Sequence, residues 1–160
     1  MTSVYLKLIT DDNMEECLQL KPREDQQRLV APNSDSLEKA KREPSSRPYG
    51  IYADDTMVGF ALFDEEVYPE DGYFWICRFM IDERYQGKGY GKAGLAAVLE
   101  QQKSHSDCVK IRISHVPENG VANRLYKGFG FIETGEVIGG ETVLDYIISL
   151  NEYGLARFPR

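Results

Sequence analysis

The chain has 160 residues, with 19 Lys plus Arg against 26 Asp plus Glu, a net charge of −7 and a pI of about 4.9. That length suits one domain with a sizeable core, since a chain of roughly 150 residues buries about two-thirds of its unfolded surface. The acidity argues against a nucleic-acid or anionic-membrane binder, which needs a basic face to displace counterions, and 42% hydrophobic with 28% charged residues is the balance of a folded chain.

Val4, Leu6 and Leu8 alternate with Tyr5, Lys7 and Ile9, which predicts a first strand. Thr10-Asp11-Asp12-Asn13 supplies capping residues ahead of a short helix, Met14 to Leu20. Lys21 to Asn33 is polar and irregular, and a second short helix, Ser34 to Arg42, stops before Pro44. Gly50–Ala53 and Met57–Phe63 flank the turn pair Asp54-Asp55 and predict a hairpin. After a second acidic turn, Asp64 to Gly72, the run Tyr73 to Ile81 reads as a central strand buried on both faces. A glycine-rich turn leads into a helix from about Gly91 to Ser104, with Leu95, Val98, Leu99 and Gln102 at helical spacing. Lys110 to His115 alternates as a strand, and Val121 to Lys127 is a short helix closed by Gly128. Phe131–Ile138 and Thr142–Leu150 form a last hairpin around Gly139-Gly140. No repeat or composition break divides the chain, so a single domain over residues 1–150 is expected, with 151–160 as a C-terminal tail.

Cys17, Cys77 and Cys108 are odd in number and form no Cys-x-x-Cys pair, which points away from a disulfide framework and towards a cytoplasmic home. With only His105 and His115, no metal site is expected. Met1 to Thr10 carries no signal-peptide pattern, and the apolar run Leu95–Leu99 is far too short to span a bilayer, so no membrane partner is expected either.

The most informative stretch is Asp82-Glu83-Arg84-Tyr85-Gln86-Gly87-Lys88-Gly89-Tyr90-Gly91-Lys92, between a strand and a helix. Glycines there let successive backbone N–H groups aim at one point, and the helix adds the positive end of its dipole, so phosphate oxygens are the expected guest. Arg84, Lys88 and Lys92 add three positive charges with no acid among them. Gly89-Tyr90-Gly91-Lys92-Ala93-Gly94 fits the dinucleotide pattern G-x-G-x-x-G, but it lies mid-chain and lacks the later acid that would hold a ribose. The nucleotide P-loop fails because neither Gly87-Lys88 nor Gly91-Lys92 is followed by Ser or Thr. A plain flexible turn is the bland alternative.

Gln86-x-x-Gly89-x-Gly91 after a buried strand resembles the acetyl-coenzyme A signature of the GNAT acetyltransferase superfamily. Pro117-Glu118-Asn119, Ala122 and Leu125-Tyr126-Lys127-Gly128-Phe129-Gly130-Phe131 are similar to the strand–helix–strand segment that follows it there. The resemblance covers roughly Tyr49 to Leu150, and Trp75 to Gly91, Leu29-Val30-Ala31-Pro32-Asn33 and Val58-Gly59-Phe60-Ala61 look most like bacterial spermine/spermidine acetyltransferases. It implies an α+β fold, a mixed and mostly antiparallel sheet of six or seven strands with helices on both faces. It further implies acetyl-CoA as co-substrate, no metal, and direct attack in a ternary complex by a primary amine, most naturally a polyamine such as spermidine or spermine. A homodimer is implied too, since dimers are common in the superfamily. Another amine acceptor (a peptide N-terminus, an amino acid or an aminoglycoside) and a non-catalytic acyl-CoA-binding module are the competing readings.

Residue by residue, the resemblance implies that the turn from Gln86 through Gly87, Lys88, Gly89, Tyr90 and Gly91 binds the donor's pyrophosphate, helped by the charges of Lys88 and Lys92. The main chain at Phe79, Met80 and Ile81 would pair with the pantetheine arm, one N–H there polarising the thioester carbonyl, and Asn119 would steady the arm. Tyr126 is the candidate catalytic acid, protonating the thiolate as it leaves, a kind of help worth about 10²–10⁴ in rate. A base is harder to name. Alkylammonium groups have pKa values near 10, and some polyamine acetyltransferases carry a carboxylate where this chain has Cys77. A water relay to Asp64, Glu65 or Glu66, arrival of an already neutral amine, and Cys77 itself as a nucleophile are open. Residues 54–71 hold seven acids and no Lys or Arg, a stretch that would attract a polycation or else simply solvate hairpin turns. Asp64, Glu65, Glu66, Trp75 and Cys77 are therefore the candidate substrate-binding residues, with Glu15, Glu16 and Glu24 as further contributors.

Overall fold

Strand and helix segments alternate through the molecule, a computed structural model that describes residues 2–29 and 31–149. The expected tail at 151–160, Leu150 and Val30 lie outside the described residues. Strand β1 (Val4–Leu8) is followed by α1 (Met14–Gln19), a 3₁₀ turn (Glu24–Leu29) and α2 (Asn33–Arg42). Strands β2 (Ser46–Ala53), β3 (Thr56–Asp64) and β4 (Phe74–Ile81) come next, then a short 3₁₀ turn (Glu83–Tyr85) and α3 (Tyr90–Lys103). Strand β5 (Lys110–His115), α4 (Gly120–Phe129), β6 (Ile132–Ile138) and β7 (Glu141–Ile147) complete the order.

The seven strands make one sheet in the order β1-β2-β3-β4-β5-β7-β6, antiparallel throughout except between β4 and β5. Because side chains alternate across a strand, the sheet buries both faces. Ile51, Phe63, Phe74, Ile76, Ile111, Ile113 and Leu144 pack with Leu95, Val98 and Leu99 of α3 and with Leu125 and Tyr126 of α4. Tyr52, Met57, Phe60, Leu62 and Met80 pack on the other face with Cys17 and Leu20 from the α1 segment and Leu37 of α2. Helices on both faces of a mostly antiparallel mixed sheet are the α+β architecture expected from the sequence.

Three local readings change. Asn13 does not cap α1 with its side chain. Its Oδ1 instead accepts from Thr10 N at 2.8 Å, and its Nδ2 donates to Leu8 O at 3.2 Å, tying the helix start back to β1. Helix α4 runs past Gly128 and closes at Gly130, which takes φ +108° and donates to the Tyr126 and Lys127 carbonyls. The run read as a strand buried on both faces is only partly so: Phe74, Ile76, Met80 and Ile81 are buried, whereas Trp75, Cys77, Arg78 and Phe79 are half-buried. Beside Cys77, Arg78 and Phe79 the reason is a wedge that opens in the sheet.

Candidate active site

Strands β4 and β5 run parallel but pair only at Phe74–Ile111, Trp75–Arg112 and Ile76–Ile113. Beyond Ile76 they diverge, while β3 stays paired with β4 to Ile81 and β7 with β5 to His115. A bulge assists the divergence: Ile76 stands opposite Phe63 and Arg78 opposite Leu62, so Cys77 is the extra residue. The wedge is a cleft of about 530 Å³, within the range of small-molecule sites. Ile76–Ile81 form one wall and Ile113–Val116 the other, with Gln86, Gly87 and Gly91 at one end, Asn119, Leu125 and Tyr126 of α4 behind, and Gln26, Arg28 and Leu29 overhead.

At the turn, Asp82 is the organiser. Its fully buried carboxylate accepts from Arg84 N at 2.9 Å, Arg84 Nε at 2.8 Å and Lys21 N at 3.1 Å, so it holds the overhead segment against the glycines. Gln86 braces the same junction, donating to Gln26 Oε1 at 3.0 Å and Ile81 O at 2.9 Å. Gly87 and Gly89 adopt φ of +77° and +87°, a region L side chains avoid, and a Cβ at either would meet nothing within 4 Å. Gly89 is the N-cap of the 14-residue α3, so free N–H groups and the positive end of the helix dipole face open space there. Lys88, Gly89, Tyr90 and Lys92 lie on this turn and the first turn of α3, at the cleft's end and outside its lining. The turn thus offers free N–H donors to open space, and β4 offers the cleft a backbone edge that β5 leaves unpaired beyond Ile76.

Tyr126 faces the cleft from α4, 6% exposed, with its ring tilted against His115 and Phe131. Burial, and then the nearby charge of Glu141, push its phenol above the ordinary tyrosine range. Asn119 caps α4, its Oδ1 accepting from Ala122 N at 3.1 Å, which leaves its amide N–H₂ available to the cleft. His115, from the end of β5, donates from Nδ1 to Val116 O at 2.7 Å and turns Nε2 to the Asn123 amide at 3.3 Å.

Cys77 lies in the cleft wall, and its sulfur is 3.5 Å from Ser46 Oγ, which donates to Asp64 at 2.7 Å. Burial and the Asp64 charge push the thiol up to about 11, so it is neutral rather than an activated nucleophile. The Asp64 carboxylate is fully buried behind β4 and accepts also from Ser45 Oγ and Trp75 N. Neither Asp64, Glu65, Glu66 nor Trp75 is part of the cleft lining. Glu65 accepts from Tyr49, Gln101 and His105, and the Trp75 indole donates to Asp71 with Arg112 above its ring. The acid-only stretch is not one surface either. Asp54-Asp55 and Asp64 sit at opposite ends of the nine-residue β3, about 27 Å apart at strand rise. Of the acids, the lining includes one the sequence reading passed over, Glu141, together with Arg28, Arg78, Ser114 and His115. Among the described residues no group of three or more His, Cys, Asp or Glu could hold a metal, and no helix is long and apolar enough to cross a membrane.

A mixed, mostly antiparallel sheet with helices on both faces is the α+β fold of an acetyltransferase, and the sequence profile of the Acetyltransferase (GNAT) family matches residues 7–131. The chain belongs to that family and is an acetyl-CoA-dependent N-acetyltransferase. It is 37% identical over 149 residues to the spermine/spermidine N(1)-acetyltransferase of Bacillus subtilis (strain 168), covering 89% of this chain and 97% of that one. Its fold is similar to that of aminoglycoside acetyltransferase AAC(6')-Ib bound to an aminoglycoside and acetyl-CoA, with a TM-score of 0.79, 18% identity, and 96% and 98% of the two chains covered. Spermidine N-acetyltransferase from Vibrio cholerae, in complex with CoA and spermine, matches with a TM-score of 0.73 at 16% identity over 91% and 96% of the chains.

Proposed function

We propose that this acetyltransferase transfers the acetyl group to a primary amine of a polyamine. The observation that carries the acceptor is the 37% identity, over nearly the whole of both chains, to a spermine/spermidine acetyltransferase. The donor's thioester supplies an activated acetyl group. The N–H groups of the Gly87–Gly91 turn and the N-terminus of α3, with Lys88 and Lys92 nearby, would hold its pyrophosphate. The unpaired edge of Phe79, Met80 and Ile81 would hold the arm in the place of a strand, and an N–H of this edge would stabilise negative charge on the carbonyl oxygen. Asn119 would steady the arm with the N–H₂ that capping leaves free.

Tyr126 would give its proton to the leaving sulfur. Burial keeps the phenol in the protonated form that this task needs. The cleft wall carries a thiol rather than a carboxylate at Cys77, and that thiol is too basic to be ionised at neutral pH, so Cys77 would not act as the base. The reacting nitrogen would enter already neutral or lose its proton through water. Action in the cytoplasm, supported by three unpaired thiols, and assembly as a homodimer belong to the same proposal.

Release of coenzyme A against a panel of amines tests the reading. Turnover on spermidine or spermine is the expected result; activity confined to aminoglycosides, amino acids or peptides would sink the polyamine acceptor.

A further inference from the structure

Glu141 is the first residue of β7 and the carboxylate of the cleft lining. Its place follows from the register of β5 with β7. Ile111, Ile113 and His115 stand opposite Tyr146, Leu144 and Thr142, and the face they share packs on α3 and α4. Arg112 and Ser114 stand opposite Asp145 and Val143, so alternation puts Glu141 with them on the other face. Ser114 Oγ donates to Glu141 Oε1 at 2.8 Å and fixes the carboxylate. The glycine turn and α4 lie on the α3 side, and Tyr126 reaches the wedge from there. Glu141 thus borders the wedge from the side opposite the donor's.

Its charge is uncompensated. Among the described residues, Glu141 forms no ion pair, although the neighbouring carboxylates do: Asp145 pairs with Arg112 at 2.9 Å and with Lys110 at 3.3 Å, and Glu136 pairs with Arg112. Arg28 is taken by Glu118 at 3.6 Å; Arg78, on the facing strand, turns its Nη1 to Cys77 O at 2.7 Å, leaves its Nε buried without a partner, and forms no ion pair with Glu141. A carboxylate pinned on one oxygen, facing a cleft that admits an amine, and lacking a cation of its own has its counterion in the substrate.

We infer that Glu141 binds a second, non-reacting ammonium of the acceptor and so makes the enzyme select diamines and polyamines over monoamines. The inference rests on the polyamine reading. The nitrogen it holds cannot be the attacking one, because a fixed anion favours the protonated form and attack needs a free electron pair. Holding one nitrogen as a cation leaves the next, three or four carbons along the chain, to enter the wedge beyond the carboxylate's hydrogen-bonding reach. The carboxylate thereby supplies grip on the nitrogen that does not react.

The test compares 1,3-diaminopropane and spermidine with propylamine in wild type and Glu141→Gln, an isosteric change that keeps an oxygen for Ser114. The wild-type preference in kcat/KM for the diamine over propylamine should fall by about tenfold or more in the variant, through KM for the diamine. KM for acetyl-CoA, the control for a general disturbance of the site, should move less than about threefold. Ser114→Ala, which loosens the same carboxylate, should lose part of the preference. Raising ionic strength should raise the wild-type KM for spermidine and leave that of the variant nearly flat. Wild-type turnover of spermidine with an unchanged preference in Glu141→Gln overturns this inference alone. Absence of wild-type turnover on any polyamine overturns the polyamine reading first, and this inference with it.

Discussion

The Cys77 sulfur lies 3.5 Å from the Ser46 hydroxyl, and that hydroxyl is the link between the cleft wall and the buried Asp64 carboxylate behind it. A thiol in that position is an inert neighbour of an anion. With its pKa pushed up to about 11 by burial and then by Asp64, only about one part in a few thousand is thiolate at pH 7.5. Alkylation of Cys77 by iodoacetamide should run about 10²-fold slower than that of a free thiol. Cys77→Ser, which preserves a hydrogen-bonding group beside Ser46, should hold kcat within about threefold. A larger loss would place the sulfur in the chemistry.

Removing the Tyr126 hydroxyl should slow the chemical step without weakening donor binding. Tyr126→Phe is expected to lower kcat by at least about tenfold while KM for acetyl-CoA stays within about twofold, as for loss of a proton donated only in the transition state. The sign of the pH effect follows from burial and the Glu141 charge, which raise the phenol's pKa. The acid form persists below that value, so a pH–rate profile should show no alkaline loss from this group up to about pH 10. A descending limb near pH 8 that vanishes in Tyr126→Phe would contradict the assignment.

Gly89→Ala separates backbone strain from ligand contact. At φ +87° an L residue costs about 1 kcal/mol, yet its Cβ would meet no protein atom within 4 Å. Thermal unfolding should register that modest cost alone. KM for acetyl-CoA should rise by about tenfold or more, because the new methyl group occupies the approach to the N–H groups. Unchanged donor KM would move the pyrophosphate elsewhere.

Asp82 makes a prediction about acid stability. Burial pushes its carboxyl up, but the hydrogen bonds from the Arg84 side chain and backbone and from Lys21 N outweigh this, and the net shift is downward. A carboxyl lowered on folding adds stability above the ordinary carboxylate pKa, and that stability is lost as pH falls through the folded value. Asp82→Asn should cost about 1–3 kcal/mol at pH 7 through unmatched buried donors. The deficit, followed by calorimetry, should shrink as pH is lowered below about 4. An equal deficit at pH 7 and pH 3 would mean that charge plays no part.

What the sequence discloses is what is local. Lys110 to His115 alternates cleanly, and β5 has those bounds; Leu95, Val98, Leu99 and Gln102, spaced for one helical face, are all buried in α3. The glycine turn is legible because its N–H groups come from consecutive residues. Which of Gly128 and Gly130 ends α4 depends on where the left-handed residue lets the chain re-enter the sheet as β6, and spacing alone does not encode that. Asp64 reads as a substrate-facing acid until Ser45 and Ser46, far upstream, turn out to enclose it. Glu141 reads as one more turn acid, and only the divergence of β4 from β5, strands 36 residues apart at their starts, gives its carboxylate a cleft to face.

Only three residue pairs join β1–β4 to β5–β7 within the sheet. That short ladder is a seam, and an arm lying along Phe79–Ile81 would act as a zip across it, adding rungs the polypeptide itself leaves out. Folding and donor supply then become one ledger: at a hundredfold excess over Kd, a ligand bound only by the native state adds about 2.7 kcal/mol. Without the donor that increment is absent, and the seam keeps its three rungs alone.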